Sequence, residues 1–473
     1  MLRRFAPVAA VVGTVALGAC SDPSSPMADD GLPLGAAQNL TLMQGGDRLL
    51  VRASGNAFPA DFAARVAALG GRVVFAHDGA GIGAVEGLSA EGAGQLAKMK
   101  GIAAVDLDNF TMIAPPDVFE TELAAGAVES PSAPNTANFF PRQWHLRQIE
   151  APAAWAAGRL GQATTSIGIL DTGLGYTHPD LAGRVDLTRS RSFIASDDAL
   201  VASSFPGAHP IADLHYHGTH VGATVSSNAV AAAGVTSGTT LVGIKVCNVN
   251  GSCPTSAVLQ GVLYAADMGL PVANMSLGGT FMRRDASAQG GVGPSFIATV
   301  NQVFNYANRK GTLMVVSAGN SAIDMDHDGN GFKAYCSAPG VACVSATGPT
   351  ARAGTNGPWT NPDALASYSN YGVSSVNVAA PGGNGASNVT AACSSFSLQI
   401  PVCRTGTVVL GINGTSMASP HAAAVAALIS ESTGNNPGLI RSRLQQSADD
   451  LGAPGADPQY GKGRINVRRA LGL

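Results

Sequence analysis

Four short segments made almost entirely of apolar residues most constrain how this chain can fold. They are TSIGIL (165–170), TLVGIKV (240–246), PVANMSL (271–277) and TLMVVSAG (312–319). Runs of this length without polar alternation are typical of strands buried on both faces of a parallel sheet. Two segments between them carry apolar residues at helical spacing and end at Gly269 and Gly311, which suit helix C-caps. The alternation predicts an α/β domain with a mostly parallel sheet over residues 142–473.

Length and composition allow a large core and more than one domain. The chain has 473 residues, of which 45% are hydrophobic and only 12% are charged. Its formal net charge is −3, and its Lys and Arg residues do not cluster into a stripe. Nucleic-acid binding is therefore not expected, because it depends on a concentrated positive surface.

The first 46 residues have the pattern of an export signal followed by a tether. A pair of arginines precedes an apolar run that is too short to span a bilayer, which fits a signal peptide over residues 1–20. The run ends in LGAC, which resembles a bacterial lipobox and implies lipidation of Cys20 ahead of a tether over residues 21–46. The alternative is an ordinary cleavage site beside an incidental cysteine. Both interpretations predict an extracytoplasmic protein, which touches a membrane only if it carries the lipid.

The other six cysteines fall into three close pairs in an exported chain, which favours disulfides over free thiols. Six cysteines allow 15 pairings in principle. We expect each to bond its near neighbour and staple a loop of the larger domain. A zinc site is the competing interpretation, but no CxxC spacing occurs. The predicted pairs are Cys247 with Cys253, Cys336 with Cys343, and Cys393 with Cys403.

Residues 47–113 have a different pattern from the rest of the chain. Two strand-like runs flank a helix-like segment that stops at two glycines, and the same kind of pattern then repeats. This βαββαβ order is ferredoxin-like, and many unrelated functions share it. Residues 114–141 are polar and rich in proline without periodicity, which is typical of a linker. The sequence therefore predicts a small α+β domain ahead of the larger one.

Polar side chains stand where the buried strands should end. Asp171 follows the first apolar segment, Asn320 follows the fourth, and His217 begins HGTHVGATV, a plausible helix start. Ser416 precedes an alanine-rich run with Pro420 in its first turn, so it should lie at a helix N terminus, where negative charge is favoured. Each residue alone is more typical of a turn, a cap or the core. Together they give Asp, His, Asn and Ser in chain order. In α/β proteins with a parallel sheet, binding and catalytic residues lie at the carboxyl ends of the strands.

The segments around these residues resemble, in order and spacing, the signature segments of subtilisin-like serine peptidases. They are DTGLGYTHPDL, HGTHV, MSLGG, SAGN, SYSNYG, AAPG and GTSMASPHAAAVAAL. KVCNVNGSCPTSAVLQGV (245–262) is most similar to the proteinase K branch. The resemblance runs from about Gln143 to the C terminus. It implies a three-layer subtilisin-like domain that acts on polypeptides as a serine endopeptidase.

The resemblance also implies roles for individual residues. Asp171, His217 and Ser416 would be catalytic, and the Asn320 side chain with the Ser416 N–H would hold the oxyanion, so catalysis would need no cofactor. Residues 47–113 would be an inhibitory propeptide acting within the same chain, and 114–141 would contain the maturation site. A glycine-rich cleft without an acidic cluster implies an apolar or broad preference at P1, and we expect a monomer. The implied cleft residues are Ser276, Leu277, Gly278, Gly279, Ala318 and Gly319.

Three other interpretations explain fewer of these features. His215, His217 and His220 form HxHxxH, which overlaps a zinc-hydrolase HxHxDH cluster, but Thr219 stands where that cluster has aspartate. A catalytically silent binding protein on the same scaffold would need a defect that the sequence does not contain. A serine esterase of the α/β-hydrolase type conflicts with GTSMA, which lacks the second glycine of GxSxG, and with the order of the three catalytic residues.

The segment DMDHDGNG resembles the start of an EF-hand loop. It supplies clustered oxygen ligands at Asp324, Asp326, Asp328 and Asn330, but the glutamate of the twelfth position is replaced by Tyr335. A structural calcium ion and a solvated Asx-turn loop are both compatible with this pattern. Calcium is not expected at Asp180, a ligand position in part of the family, because the partner loop reads NAVAAAG (228–234) instead of being rich in asparagine.

Overall fold

The computed structural model describes residues 47–113, 120–124, 126, 128–283 and 291–473. The predicted signal peptide (1–20), the expected lipidation of Cys20 and the tether (21–46) lie outside the described residues. So do residues 114–119, 125 and 127 of the predicted linker. Within the described part of the chain, no helix is both long enough and apolar enough to cross a bilayer.

The helices and strands alternate along most of the chain. The helices are α1 (Phe62–Ala68), α2 (Ala90–Ala97), α3 (Trp144–Gln148), α4 (Ala151–Ala156), α5 (Ala195–Ser204), α6 (His217–Val225), α7 (Thr255–Asp267), α8 (Pro294–Lys310), α9 (Thr415–Thr433), α10 (Pro437–Gln446) and α11 (Val467–Ala470). Short 3₁₀ helices span Pro134–Thr136, Phe140–Arg142 and Pro401–Arg404. The strands are β1 (Arg48–Ala53), β2 (Arg72–His77), β3 (Ile82–Glu86), β4 (Ile102–Leu107), β5 (Phe110–Met112), β6 (Glu120–Leu123), β7 (Ser166–Asp171), β8 (Arg191–Ser192), β9 (Thr240–Lys245), β10 (Ser252–Pro254), β11 (Val272–Met275), β12 (Gly279–Arg283), β13 (Gly291–Val292), β14 (Leu313–Ser317), β15 (Gly331–Ala334), β16 (Ala342–Thr347), β17 (Ala351–Arg352), β18 (Trp359–Thr360), β19 (Val378–Pro381), β20 (Val389–Ala392) and β21 (Val408–Ile412).

The small domain has the predicted ferredoxin-like topology. Its antiparallel sheet has the order β2-β3-β1-β4, and α1 and α2 complete the βαββαβ pattern. Phe62 and Val66 of α1 share one buried cluster with Leu96 of α2 and with residues of the sheet. Helix α2 begins as its sequence predicts, because the Ser89 hydroxyl accepts the Gly92 N–H at 3.1 Å.

A seven-stranded parallel sheet forms the centre of the larger domain. Its order is β19-β16-β14-β11-β7-β9-β8, and each neighbouring pair is parallel. The four apolar segments form β7, β9, β11 and β14, as predicted. On one face, residues such as Ile167 and Val315 cluster with residues of α6 and α9, and on the other Leu170 and Val316 cluster with residues of α7 and α8. The three-layer α/β architecture expected from the sequence is therefore confirmed.

The order of the central strands brings the predicted polar residues to one edge of the sheet. Strands β14, β11 and β7 are consecutive neighbours. Asp171 ends β7, Ser276 follows β11, and Asn320 follows β14 by three residues. Parallel neighbours end at the same edge, so these residues lie at one end of the sheet.

Two short strands of the small domain and linker pair with strands of the larger domain, which the sequence does not predict. Strand β5 pairs antiparallel with β10. Strand β6 lies inside the expected irregular linker and pairs antiparallel with β21. Ion pairs of Glu120 with Arg352 and of Glu122 with Arg142 accompany β6. Both strands form by pairing with an edge supplied by residues far away in sequence, and such pairing leaves little local signal.

All three predicted disulfides are present. The bonded pairs are Cys247–Cys253, Cys336–Cys343 and Cys393–Cys403, whose partners are separated by 6, 7 and 10 positions in the sequence. Because these loops are short, each bond restricts the unfolded chain less than a long-range disulfide would. Their effect is local, and the first of them fixes the segment that leads into β10.

Candidate active site

Asp171 and His217 form a buried pair at the end of β7. His217 is the first residue of α6, and its Nδ1 lies 2.8 Å from Asp171 Oδ1. Both side chains are buried, with 3% and 0% exposure. The carboxylate oxygen also accepts the Thr172 N–H at 2.8 Å. Because Nδ1 is held by the carboxylate, Nε2 is the imidazole nitrogen available to another group.

Gly218 and Asp213 hold α6 close to β7. A Cβ atom on Gly218 would lie 2.2 Å from the Gly173 carbonyl oxygen, so only glycine permits this approach. The buried Asp213 carboxylate accepts the Thr172 hydroxyl at 2.8 Å and the Thr219 N–H at 2.9 Å. Burial raises the pKa of Asp213, and these hydrogen bonds oppose that shift. Asp213 thus ties the segment after Asp171 to the first turn of the helix that carries His217.

Ser416 is the second residue of α9 and is partly exposed. Its hydroxyl donates to the Ser276 carbonyl oxygen at 3.1 Å rather than to His217. Catalytic hydrogen bonds are often loose without substrate, and rotation about the Cα–Cβ bond redirects a serine hydroxyl. The predicted position of Ser416 at a helix N terminus is confirmed.

Pro420 lies inside α9 and not in its first turn, which corrects the sequence prediction. Proline has no N–H, so the carbonyl of Ser416, four residues earlier, lacks the usual helical hydrogen bond. The Ser276 hydroxyl donates to that carbonyl instead, at 2.7 Å. The proline therefore frees an acceptor that fastens the start of α9 to the segment after β11.

The side chain of Asn320 is oriented by Thr415. Its Oδ1 accepts the Thr415 N–H at 2.9 Å and the Thr415 hydroxyl at 2.7 Å. The Thr415 Oγ1 atom also accepts the Gly319 N–H at 3.0 Å. With Oδ1 engaged on this side, the Nδ2 group of Asn320 is left as the donor for a ligand in the cleft.

The predicted cleft residues border one pocket together with Ser416 and Asn320. The small domain also contributes to this pocket, and the Ile113 N–H donates to the Gly251 carbonyl at 2.8 Å. Asp171 and His217 are not among the lining residues; they stand at the end of the neighbouring strand β7. The lining residues are Met112, Ile113, Ser276, Leu277, Gly278, Gly279, Thr280, Ser317, Ala318, Gly319, Asn320, Ser321, Lys333, Ala334, Asn370, Thr415 and Ser416.

Comparison with known proteins decides the family. The sequence profile of the subtilase family matches residues 162–463. The chain belongs to the subtilase family. Thermitase from Thermoactinomyces vulgaris is 32% identical over 341 residues, which cover 72% of this chain and 99% of thermitase. Subtilisin Savinase from Lederbergia lenta is 30% identical over 333 residues, which cover 69% of this chain and 97% of that protein.

Solved structures show the same fold over a longer stretch of this subtilase. The epidermin leader peptide processing serine protease of Staphylococcus aureus superposes with a TM-score of 0.69 at 20% identity, covering 91% of this chain and 99% of its own. Fervidolysin from Fervidobacterium pennivorans, a keratinolytic enzyme, gives a TM-score of 0.66 at 23% identity, covering 90% of this chain and 61% of its own. At these identities the likeness concerns the fold alone.

This subtilase is a subtilisin-like serine endopeptidase. The Ser-His-Asp mechanism is general in the family and needs no catalytic cofactor. The esterase interpretation is therefore wrong, because its fold and motif belong to another family.

The zinc interpretation does not fit the geometry of the three histidines. His217 binds Asp171, whereas His220 points inward and its Nε2 contacts the Val389 carbonyl oxygen at 3.1 Å. Burial, followed by the nearby His217, lowers the pKa of His215 to about 3. Among the described residues, no group of three or more His, Cys, Asp or Glu side chains could hold a metal ion.

In the acidic loop of Asp324, Asp326, Asp328 and Asn330, for which the sequence left a calcium ion and a solvated Asx-turn loop open, the carboxylates have partners within the protein. Its three carboxylates turn to different partners, and they do not converge. Asp324 contacts His327 at 2.8 Å and Asp328 contacts Lys333 at 2.9 Å, while Asp326 accepts the Val373 N–H at 2.7 Å. A calcium ion needs these oxygens pointing at one centre.

Asp180, where the loop sequence gives no expectation of calcium, is held by backbone N–H groups. Its carboxylate accepts the N–H groups of Val230 and Ala231 at 2.8 and 2.9 Å, and of Ala232 at 3.1 Å. These three N–H groups satisfy much of the carboxylate's acceptor capacity from within the protein.

Three residues of this region escaped the sequence analysis. Thr415 lies within the GTSMASP segment and Asp213 lies four residues before His217, so both were within reach of motif reasoning. Lys333 has no local signal, because its place in the pocket depends on the pairing of β15 with β12.

Proposed function

We propose that Ser416 is the nucleophile of this subtilase, with His217 as its general base and Asp171 as the partner of His217. The supporting observation is the buried 2.8 Å contact between His217 Nδ1 and Asp171 Oδ1. Ser416, the second residue of α9, borders the pocket with Ser276 and Asn320. A serine hydroxyl is a poor nucleophile at neutral pH, so the imidazole takes its proton during attack and returns it to the leaving amine. Asp171 holds the tautomer with a proton on Nδ1 and stabilises the imidazolium while remaining ionised.

Asn320 and the Ser416 N–H stabilise the oxyanion in this proposal. The N–H of Ser416 belongs to the first turn of α9, where N–H groups have no acceptor within the helix. The Nδ2 group of Asn320 is the donor that Thr415 leaves free. Donors fixed in advance need no rearrangement when negative charge develops on the carbonyl oxygen.

The substrates are polypeptides that bind in extended form along the cleft. Strand β5 illustrates this mode, because it pairs with β10 while Met112 and Ile113 border the pocket. A substrate would add a strand to β10 in the same way, so its backbone supplies affinity and the pocket supplies preference. The residues Ser276 to Gly279 and Ala318 to Gly319 would form the walls beside the scissile bond.

The small domain acts as an inhibitory propeptide of the same chain. Beyond the cleft, its Asp108 accepts the N–H of Ser256 in the first turn of α7 at 2.7 Å, and its Asp106 contacts Ser295 in the first turn of α8. A carboxylate at a helix N terminus is favourable. These contacts hold the domain in place while its last strand blocks the cleft.

The maturation site is proposed from the described residues on either side of 114–119. Ile113 borders the pocket that contains Ser416, and Glu120 begins β6 on β21, the strand that leads to Ser416. In the sequence, residues 114–119 connect these two positions. We place the processing cleavage there, within the linker predicted over 114–141.

The chain is exported from the cytoplasm in this proposal. Residues 1–20 direct the chain out of the cytoplasm, with Cys20 as the lipidation site and 21–46 as the tether, and processing releases the catalytic domain from that anchor. The enzyme acts as a monomer, either secreted or at the cell envelope. Segment 245–262, with its disulfide, supports placement in the proteinase K branch.

The test compares wild type with Ser416→Ala, expressed as the full chain. Each is analysed by intact mass and N-terminal sequencing, labelled with a serine-directed fluorophosphonate, and incubated with casein. We expect wild type to acquire a new N terminus between residues 114 and 120, to be labelled at Ser416 and to digest casein, while the variant stays intact and inactive. If wild type also stays intact and unlabelled, the silent binding protein replaces the peptidase.

A further inference from the structure

Lys333 occupies a buried position at the substrate pocket. It lies on β15, opposite Thr280 on β12, and next to it Phe332 lies opposite Phe281. The two phenylalanines belong to the buried cluster that packs α8. Successive side chains of a strand point to opposite faces, so Lys333 and Thr280 face away from that cluster and border the pocket with Ser416.

The ammonium group of Lys333 is paired without being fully satisfied. The residue is only 4% exposed. Its Nζ lies 2.9 Å from Asp328 Oδ2 and 3.0 Å from Thr280 Oγ1. An ammonium has three N–H donors, so at least one has no protein acceptor among the described residues.

Gly331 makes room for the pair. A Cβ atom at this position would lie 2.6 Å from Asp328 Oδ2 and 2.9 Å from Lys333 Nζ. Any larger side chain would push the two charged groups apart or out of the pocket. The loop that resembles a calcium-binding segment therefore supplies a counter-ion for Lys333 instead of a metal ligand.

We infer that the Lys333–Asp328 pair selects substrates whose P1 side chain ends in a hydrogen-bond acceptor, namely glutamate and glutamine. This inference rests on the proposed function of the cleft, and it replaces the apolar or broad preference expected from the sequence. The free N–H of Lys333 donates to a carboxylate or carboxamide oxygen. An aliphatic P1 side chain leaves that donor buried and unpaired, and a P1 lysine or arginine places a second cation beside the first.

Asp328 sets the relative preference for glutamate and glutamine at P1. It neutralises the ammonium, so the pocket presents a donor with little net charge, and glutamine is accepted along with glutamate. Removing the Asp328 charge leaves Lys333 as an unbalanced cation. The preference then moves toward glutamate, because only glutamate carries the opposite charge.

The experiment measures kcat/KM of the mature enzyme on peptides that differ only at P1, with Glu, Gln, Leu, Phe or Lys. For wild type we expect Glu and Gln to exceed Leu by roughly tenfold or more and Lys to be slowest. In Lys333→Met this order reverses in favour of Leu, and in Asp328→Asn the Glu/Gln ratio rises several-fold. Lys462→Met, which alters an exposed lysine far along the chain, serves as the matched control and keeps the wild-type order.

A double variant keeps the test valid if the single change unfolds the protein. Lys333→Met combined with Asp328→Asn removes both charges, so no unpaired ion remains buried, and it should prefer Leu as well. The inference is overturned if wild type favours Leu or Phe, or if neither the single nor the double variant alters the P1 order. Fluorophosphonate labelling of Ser416 in the same samples separates this failure from failure of the peptidase proposal, since labelling does not depend on P1.

Discussion

At the scale of single residues, the proposed oxyanion site depends on Thr415, the neighbour of the proposed nucleophile Ser416. Thr415 uses its N–H and its hydroxyl to hold one side of the Asn320 amide, and its Oγ1 also accepts the Gly319 N–H. The donor that faces the cleft is thus fixed by hydrogen bonds on its opposite side. Thr415 acts through Asn320 and is a positioning residue.

Substitution of these two residues should lower turnover to different degrees. Asn320→Ala removes an oxyanion donor and should reduce kcat by about 10² to 10³ with little change in KM. Thr415→Val removes only the orienting hydroxyl, so we expect a smaller fall in kcat, roughly tenfold. Steady-state kinetics on one peptide substrate measure both effects.

Thr433→Val is the matched control for Thr415, because Thr433 ends the same helix far from the cleft. Its kinetics should equal those of wild type. An unchanged kcat in Asn320→Ala would show that the Asn320 amide is not an oxyanion donor.

At the scale of elements, the contact between Asp171 and His217, the proposed catalytic pair, depends on how closely α6 approaches β7. Gly218 allows this contact, and the hydrogen bonds of Asp213 to Thr172 and Thr219 maintain it. His217 is therefore placed by the docking of a whole helix, whereas Asp171 is placed by the end of a strand.

Gly218→Ala should displace α6 and disturb catalysis more than folding. The added methyl group meets the Gly173 carbonyl oxygen, and overpacking of this kind typically costs about 1–3 kcal/mol of unfolding free energy. A shift of the order of 1 Å in His217 should lower kcat by about 10²-fold. Urea unfolding measures the loss of unfolding free energy, and steady-state kinetics measure the fall in kcat.

Gly438→Ala in α10 provides the comparison, since its added Cβ would meet only ordinary contact at 3.5 Å. That variant should keep wild-type kinetics. If Gly218→Ala is equally harmless, the close approach of α6 is not what positions His217.

At the scale of the whole molecule, three buried histidines from three helices influence one another electrostatically. His145 of α3 lies with its Nδ1 2.8 Å from His421 Nε2 of α9. Burial lowers the pKa of His421 to about 4 and of His220, on α6, to about 3. Burial, followed by the charge of His421, also lowers the pKa of His145 well below its usual value.

These shifts predict a loss of stability in mild acid. The unfolded chain binds protons near pH 6.5 while the folded histidines stay neutral, so their contribution is complete above pH 6.5 and falls as the pH drops toward 4. We expect the unfolding free energy to decrease by on the order of a few kcal/mol between pH 7 and pH 4.5. Buried Asp180 and Asp213, whose pKa values are raised by burial, act in the opposite direction.

Urea unfolding of the Ser416→Ala protein, which avoids self-digestion, measures this dependence. A His145→Gln, His421→Gln double variant should have a shallower slope over the same pH range. Equal stability at pH 7 and pH 4.5 in the Ser416→Ala protein would contradict the prediction.

The amino-acid sequence by itself determined the features that rest on local patterns. Apolar runs and helical spacing predicted the parallel sheet, the βαββαβ order predicted the small domain, and close cysteine spacing predicted the three disulfides. The motifs around Asp171, His217, Asn320 and Ser416 identified the family, because backbone turns and catalytic groups there occupy contiguous residues.

Only the tertiary structure decided the features that depend on partners distant in sequence. Strands β5 and β6 exist because β10 and β21 offer them edges, and Pro420 matters because Ser276 reaches the carbonyl that it leaves free. Asp328 resembled a metal ligand in the sequence, but in the structure it is the ion-pair partner of Lys333, whose place at the pocket depends on the pairing of β15 with β12. Hydrogen bonds and burial between segments that are distant in sequence leave no periodic pattern in it. The P1 preference that we infer for the pocket therefore rests on the folded structure.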